Sequence, residues 1–324
     1  MTIKSPGVIV LGYNRFLETT DRCLASLFED PKVHTWDVLL VDNGSDEGSR
    51  KAFVEAQTRY PGVRLFRIER NAGFPGGMNA GLRLVQGDPI FLVSSDVLVP
   101  AGTIGCLSAS LRDRHGAGLI SPVTNTAGNE QRIFMDPAQP VAAVMEHGRA
   151  FADASDHGYV SAYRLDYCCV GLSRAAYETI GGFDESFSPG YYEDFDHSLR
   201  AKKAGFDLLV AENAFVYHEG GGTFGTVSKE KKALIERNKR RFIEKHGNDV
   251  LLPHVRDTNL SVLAQYAEQA EGGSSPPALR IANRLKLAET DVPRSFLKRW
   301  RYLRKVAALQ RRLAPYLEPA KSTI

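Results

Sequence analysis

The strongest constraint on the fold is a repeated unit: a short apolar run that stops at a polar cluster, followed by residues at helical spacing. Residues 7–13 form the first run, closed by Asn14 and Arg15, and Leu17, Cys23, Leu24 and Leu27 follow with a helical period. Residues 38–41 repeat the pattern and stop at Asp42-Asn43-Gly44-Ser45, ahead of a helix-like stretch over 50–60. A third run, 63–68, ends in Glu69-Arg70-Asn71 and a glycine-rich turn before a helical pattern over 78–85; a fourth, 90–93, runs into Ser94-Ser95-Asp96. Runs this apolar are buried on both faces, and their alternation with helices predicts an α/β domain with a mostly parallel sheet. Ligands of such sheets bind beyond the carboxyl ends of the strands. The clusters Tyr13-Asn14, Asp42 to Ser45, Asn71-Ala72-Gly73 and Ser94-Ser95-Asp96 lie at four successive strand ends, so they are expected to converge on one crevice.

Several residues there carry chemistry. Asp42 is placed to accept the imide hydrogen of a pyrimidine or to bond a ribose, although Asp-Asn-Gly is also strong turn chemistry. Asp96 interrupts the apolar stretch Phe91-Leu92-Val93 and Val97-Leu98-Val99. A buried carboxylate is costly without a partner, and a hard divalent cation shared with diphosphate oxygens supplies one; a structural hydrogen bond is the alternative. His218 follows the strand-like Ala214-Phe215-Val216-Tyr217 and precedes Glu219-Gly220-Gly221-Gly222, a loop able to bring backbone amides close to an anion. A lone histidine is more often structural, but this position also admits a metal or phosphate role. Glu193, Asp194 and Asp196 open a helix behind Gly190 and two tyrosines. Acidic residues in a first helical turn complement the helix dipole; beyond that, Asp196 and Arg200 are four apart and can anchor the helix while Glu193 and Asp194 face elsewhere.

Residues 125–157 are rich in Gly, Pro, Asp and His and weakly periodic, which predicts loops that shape an acceptor pocket. Residues 228–246 read as a charged helix stopped by Gly247. Gly272-Gly273-Ser274-Ser275-Pro276-Pro277 reads as a linker, and from 280 to 324 the chain holds 12 basic and 3 acidic residues against a whole-chain charge of only +3. An acidic body with a basic tail follows, and the stripe Leu297, Trp300, Leu303, Val306 and Leu313 makes that tail amphipathic. It suits an anionic membrane surface, or a helix docked on the body or on a partner subunit. The expected division is a catalytic domain over 1–225, a helical part of the body over 226–271, and linker plus tail over 272–324. The four cysteines show no Cys-x-x-Cys pair and read as reduced, buried thiols. With neither a signal-peptide pattern nor an apolar run of membrane-spanning length, a cytoplasmic protein is expected, at most peripheral on the inner membrane face. Nothing points to nucleic acid, and a homo-oligomer is compatible with the pattern.

Taken in order, Tyr13-Asn14-Arg15, Val41 to Ser45, the run from Asn71 to Gly81, Leu92 to Asp96, Gly181-Gly182-Phe183-Asp184-Glu185, Tyr192 to Asp196 and His218 resemble the family 2 glycosyltransferases over about residues 6–225, in particular those of bacterial surface polysaccharides. The resemblance implies a GT-A fold: a Rossmann-like mixed α/β sheet flanked by helices, here with a helical C-terminal extension. It implies a UDP- or dTDP-sugar donor, a glycan, lipid-linked or protein acceptor whose hydroxyl attacks with inversion, and Mg²⁺ or Mn²⁺. Leu11, Tyr13 and Asp42 match positions that contact the nucleobase, and the strand-end residues Asn71, Gly73 and Ser95 join them as donor-binding candidates. Asp96 matches the metal-binding end of the Asp-x-Asp motif, His218 the second protein ligand, and Asp194 the catalytic base, with Glu193 as its adjacent rival. The first acidic position of that motif is Ser94 here, so its carboxylate contact to the donor ribose is missing. A sugar-1-phosphate nucleotidyltransferase would need a glycine-rich triphosphate loop at the first strand, where this chain has a single glycine, Gly12, before Tyr13-Asn14-Arg15. A catalytically inactive binding protein is opposed by Asp96, Asp194 and His218 occurring together.

Overall fold

The computed structural model describes residues 4–220, 229–248, 250 and 253–317. A nine-stranded sheet runs in the order β3-β2-β1-β4-β8-β6-β9-β5, with β7 also paired to β9. Its parallel half is the N-terminal one. Here β1 (Gly7–Gly12), β2 (Asp37–Asp42), β3 (Arg64–Arg67) and β4 (Ile90–Ser94) alternate with α1 (Thr20–Phe28), α2 (Glu47–Arg59) and α3 (Gly73–Leu84). Along β1, Val8 and Val10 join a core with Leu24 and Phe53, while Ile9 and Leu11 join another with Met78 and Leu82, so both faces are covered, as runs of this apolarity require.

The glycine-rich segment expected as a turn is instead the start of α3. Low helix propensity is overridden by packing, because a Cβ at Gly77 would lie 2.6 Å from Leu11 Cδ1 and only glycine lets the helix approach β1.

Beyond β4 come β5 (Val97–Leu98), α4 (Thr103–Asp113), β6 (Ala117–Thr124), α5 (Val141–Asp153), β7 (Tyr159–Ser161), β8 (Cys169–Leu172), α6 (Arg174–Ile180), α7 (Glu193–Lys203) and the long β9 (Asp207–His218). Strand β8 is antiparallel to β4 and β6, which makes the sheet mixed. Residues 125–157, expected as loops, contain α5. It packs Val144, Phe151 and Ala152 inward, and Gly148, which obscures its pattern, sits where a Cβ would meet the Phe215 ring at 2.4 Å.

The C-terminal helices are α8 (Lys229–His246), α9 (Val255–Glu271), α10 (Ala278–Thr290) and α11 (Phe296–Leu313). The glycine-proline stretch before α10 is a connection between packed helices and does not separate a tail from the body. Arg280 and Arg284 of α10 are 1% and 0% exposed. Arg280 donates to the carbonyls of Phe151, Ala152, Ser155 and His157 around the end of α5; Arg284 donates to Arg132 O and, at 3.0 Å, to Glu212 Oε1, which also accepts from Tyr266 Oη. Two of the tail's cations are therefore interior residues, held by carbonyls and, for Arg284, one buried carboxylate, although Arg284 Nε has no hydrogen-bond partner among the described residues.

Candidate active site

The carboxyl ends of β1, β2 and β4 open into a small cavity of about 140 Å³, walled by Leu11, Gly12, Tyr13, Asn43, Asn71, Gly73, Ser95 and Pro189, with Phe74 and Ser94 at its border. Phe74 and Ser94 also line a larger cavity of about 530 Å³, which holds Asp96, His218, Glu193, Asp194, Arg164, Asp166 and Cys168. The two cavities thus share a wall and form one crevice.

On the small-cavity side, side chains are bonded to one another. Asn43 Nδ2 donates to Gly73 O at 3.0 Å and to Asn71 Oδ1 at 3.3 Å, and its Oδ1 accepts from Ala72 N; Asn71 Oδ1 accepts from Gly73 N at 2.7 Å. Gly73 has φ +73°, and a Cβ there would lie 2.3 Å from Ser188 Oγ and 2.7 Å from Pro189 Cα, so the close approach of two loops requires glycine. Leu11, Tyr13, Asn71, Gly73 and Ser95 are brought together as the strand ends suggested. Asp42 is not on the wall. It is 1% exposed, its carboxylate accepting from Ser45 N at 2.9 Å and paired with Arg67. Its neighbour Asn43, in the same strand-end cluster but not singled out there as a donor-binding candidate, takes the wall position.

In the larger cavity, antiparallel pairing of β5 with the end of β9 sets Val97 opposite His218 and brings Asp96 Oδ2 within 3.5 Å of His218 Nε2. Asn125 pins the backbone of His218 from both sides, donating to its carbonyl and accepting from its amide, and His218 Nδ1 lies 3.4 Å from Thr126 O, an orientation that turns Nε2 toward Asp96. Burial works against a charged His218 ring, but the Cys168 sulfur and the Asp96 carboxylate favour it and push its pKa up to about 12, so this spot calls for positive charge. Among the described residues no group of three or more His, Cys, Asp or Glu is arranged to hold a metal. An oriented imidazole and a carboxylate fit a divalent cation whose remaining positions are taken by phosphate and water oxygens. Gly221 and Gly222 of the loop after His218 lie outside the described residues.

Helix α7 divides its three acids by environment. Asp196 is 0% exposed; despite burial, Lys245 and His246 of α8 and Arg200, each 2.7–2.9 Å away, hold its carboxyl below the usual range, so it anchors α7 to α8. Glu193 and Asp194 border the cavity, and both are raised. Burial lifts Glu193 well above the carboxylate range, the Asp194 charge adds to that, and Glu193 Oε2 has no hydrogen-bond partner among the described residues. Burial lifts Asp194 to about 6, against the pull of Arg164, whose Nη1 is 3.2 Å from Asp194 Oδ2, and with a push from Asp166. Arg164 also stacks 3.9 Å above the Phe195 ring. Sequence reasoning missed both Arg164 and Asp166; the available signal was their alternation with the inward Leu165 and Tyr167.

The loop ahead of α7 is strained. Tyr191 and Tyr192 have φ of +72° and +75°, a region that bulky side chains rarely adopt. Asn238 of α8, fully buried, offsets this: its Nδ2 donates to the carbonyls of Phe187, Gly190 and Tyr191 at 2.7–3.0 Å.

Known proteins agree with this architecture. GalNAc-T7, crystallised with UDP, GalNAc and Mn²⁺, superposes with a TM-score of 0.53 at 14% identity over 85% of this chain and 59% of that longer one. The mannosyltransferase PcManGT from Pyrobaculum calidifontis, in complex with GDP-Man and Mn²⁺, gives 0.50 at 16% identity over 97% and 76%. The shared fold is GT-A. An N-acetylglucosaminyl-diphospho-decaprenol L-rhamnosyltransferase of Mycobacterium tuberculosis is 29% identical over 217 residues, 58% of this chain and 68% of the relative. The family model for glycosyl transferase family 2 matches residues 7–180, more than half of the chain and every strand end that walls the small cavity, and the protein is therefore a glycosyltransferase belonging to that family.

Proposed function

We propose that the enzyme moves a sugar from a UDP- or dTDP-sugar to a hydroxyl group of a lipid-linked glycan acceptor, with inversion at the anomeric carbon, at the cytoplasmic face of a membrane. The observation that carries this reading is the shared wall of the two cavities: a nucleotide seated at the strand ends directs its diphosphate past Ser94 toward Asp96 and His218, and its sugar toward Asp194. The lipid-linked acceptor and the deoxyhexose option are favoured by the similarity to a rhamnosyltransferase that by its name acts on a diphospho-decaprenol-linked sugar. Among the described residues no helix is long and apolar enough to cross a membrane, which suits peripheral attachment.

In this mechanism Leu11 and Tyr13 flank the base, and the Asn43–Asn71–Gly73 bonds hold the donor loop in shape. Asp42 contributes by fixing Arg67 and the Asp-Asn-Gly turn. Asp96 and His218 would hold Mg²⁺ or Mn²⁺, which when bound supplies the positive charge that a departing diphosphate needs. Asp194 removes the acceptor proton as the new bond forms on the opposite face of the sugar from the leaving diphosphate. A base with a pKa near 6 is deprotonated at neutral pH yet still basic enough to take that proton. Glu193, whose ionisation burial and the Asp194 charge disfavour, serves in its protonated form as a hydrogen-bond donor to the acceptor.

The test is turnover of UDP- and dTDP-sugars with and without Mn²⁺, reading the anomeric configuration of the product by NMR. Product of inverted configuration from one of these donors is expected. Retained configuration, or no turnover of either donor class, would overturn the reading.

A further inference from the structure

Helix α11 presents two apolar faces. One is docked: Tyr302, Val306 and Leu313 are 5%, 2% and 0% exposed, and the helix packs on α9 and α10. The other is open to solvent: Phe296, Leu297, Trp300 and Leu303 are 86%, 54%, 50% and 39% exposed, the densest group of exposed large apolar side chains among the described residues. Residues 296, 300 and 303 recur at i, i+4 and i+7, so they stack along one line of the helix, turned well away from the docked side. An amphipathic helix needs one apolar face to join a core, and that need is already met by the docked one.

Charge decides what the open face fits. Lys298, Arg299, Arg301, Arg304 and Lys305 are all exposed between and beside the apolar residues, and α11 contains no carboxylate to neutralise them. The Arg304 guanidinium lies 4.8 Å over the Trp300 ring, extending the cationic rim over the aromatic one. The core of a protein interface is depleted of lysine, whereas a lipid interface accepts it, because the long stem lies along apolar surface while the charge stays among headgroups.

We propose that the first two turns of α11 are a docking site for an anionic lipid bilayer, with Phe296, Leu297, Trp300 and Leu303 entering the headgroup–acyl boundary and the flanking cations held at the anionic surface. Because the helix is fixed to the body through its other face, the docking is rigid and sets one orientation of the molecule on the membrane. This surface is separate from the crevice, so it stands or falls independently of the sugar-transfer reading.

The test is flotation of the full-length protein with phosphatidylcholine vesicles, alone or with phosphatidylglycerol as a third of the lipid, at low and high salt. Binding is expected to anionic vesicles at low salt, with loss in high salt, where charges are screened within about 3–4 Å at roughly 1 M. Arg299→Glu with Arg301→Glu should weaken vesicle affinity by at least about fivefold per cation. Phe296→Ser with Trp300→Ser should abolish binding, while donor hydrolysis is unchanged and reports correct folding. In a Trp36→Phe protein, Trp300 is the sole tryptophan, and its emission should shift to the blue with anionic vesicles only. Full-length protein that ignores anionic vesicles at low salt overturns the proposal, as does vesicle binding unchanged in both double variants. A third contrary outcome is a double variant that abolishes self-association in a protein with no affinity for vesicles, which makes the patch an interface between copies.

Discussion

The donor half of the crevice and the acceptor half are held by different means. At the donor half, Asn43 directly follows β2, while Asn71 and Gly73 lie in the short β3–α3 connection and at the start of α3, and the three bond to each other, so their positions follow closely from the parallel strands. At the acceptor half, Glu193 and Asp194 begin a helix reached through two residues with left-handed backbone, and their neighbours Arg164 and Asn238 come from distant parts of the chain. Left-handed backbone occurs in both, at Asn14 and Arg15 beside the first half as at Tyr191 and Tyr192 in the second, but the raised carboxyl pKa values of Glu193 and Asp194 belong to the second. On the proposed reading the difference separates binding from turnover: changes in the donor half should act on donor affinity, and changes in the acceptor half on kcat at saturating donor.

The largest effect is expected for Asp194→Asn, which keeps the shape but removes the proposed base. Its kcat should fall by about 10² to 10⁴ with donor Kd near normal. Near-normal kcat, or an enzyme that no longer binds donor, would break the comparison. Next come the groups at the junction of the halves. Asp96→Ala or His218→Ala should lower turnover by on the order of 10² and raise the Mn²⁺ concentration needed for activity, and chelator should silence the native enzyme reversibly. Full activity in excess chelator counts against the cation.

A purely donor-side change is Gly73→Ala, which places a Cβ against Ser188 and Pro189 in a left-handed conformation costing roughly 1–3 kcal/mol. Donor Kd should rise by about tenfold or more, with kcat at saturating donor little altered; a selective loss of kcat would erase the distinction drawn here. The pH profile sharpens it from the acceptor side. A base must be deprotonated to act, so kcat/KM should fall as pH drops through about 6. Arg164 holds the Asp194 pKa down, so Arg164→Gln should move that acid limb to higher pH; an unmoved limb means that another group titrates there. The smallest effect belongs to Glu193→Gln. Burial and the neighbouring Asp194 charge disfavour ionisation of its carboxyl, so the neutral amide is a close replacement, and kcat should drop by less than about tenfold, far less than for Asp194→Asn.

The donor half was also the more legible in the sequence. A strand that ends is visible as an apolar run that stops, and parallel topology sends successive ends to one side, so Tyr13, Asn71 and Ser95 were placed by periodicity alone. What it could not reveal was direction at a turn: Asp42 and Asn43 are adjacent, and only the Arg67 ion pair shows that the first turns inward and the second lines the cavity. At the acceptor half the Glu193–Asp194 pair was visible as composition, and the Asp196–Arg200 pair as spacing. Arg164 and Asn238 were not, since their roles arise from contacts between segments far apart in the chain. The basic stretch after residue 277 was legible as charge but not as location: Arg280 and Arg299 look alike in sequence, and one is buried under α5 while the other faces water.

That burial has a practical meaning for anyone shortening the protein. The composition break at 272–277 invites a cut there, yet a chain ending at residue 277 would strand Glu212 in the interior without its guanidinium partner and leave the carbonyls around the end of α5 unanswered. Losing one member of a buried pair costs about 3–5 kcal/mol, a large share of the roughly 5–15 kcal/mol that keeps a domain folded. Such a truncation would be expected to yield insoluble protein, and its inactivity would say nothing about what the last helix contacts in the cell. Point substitutions on the exposed face of that helix ask the question without disturbing the arginines beneath it.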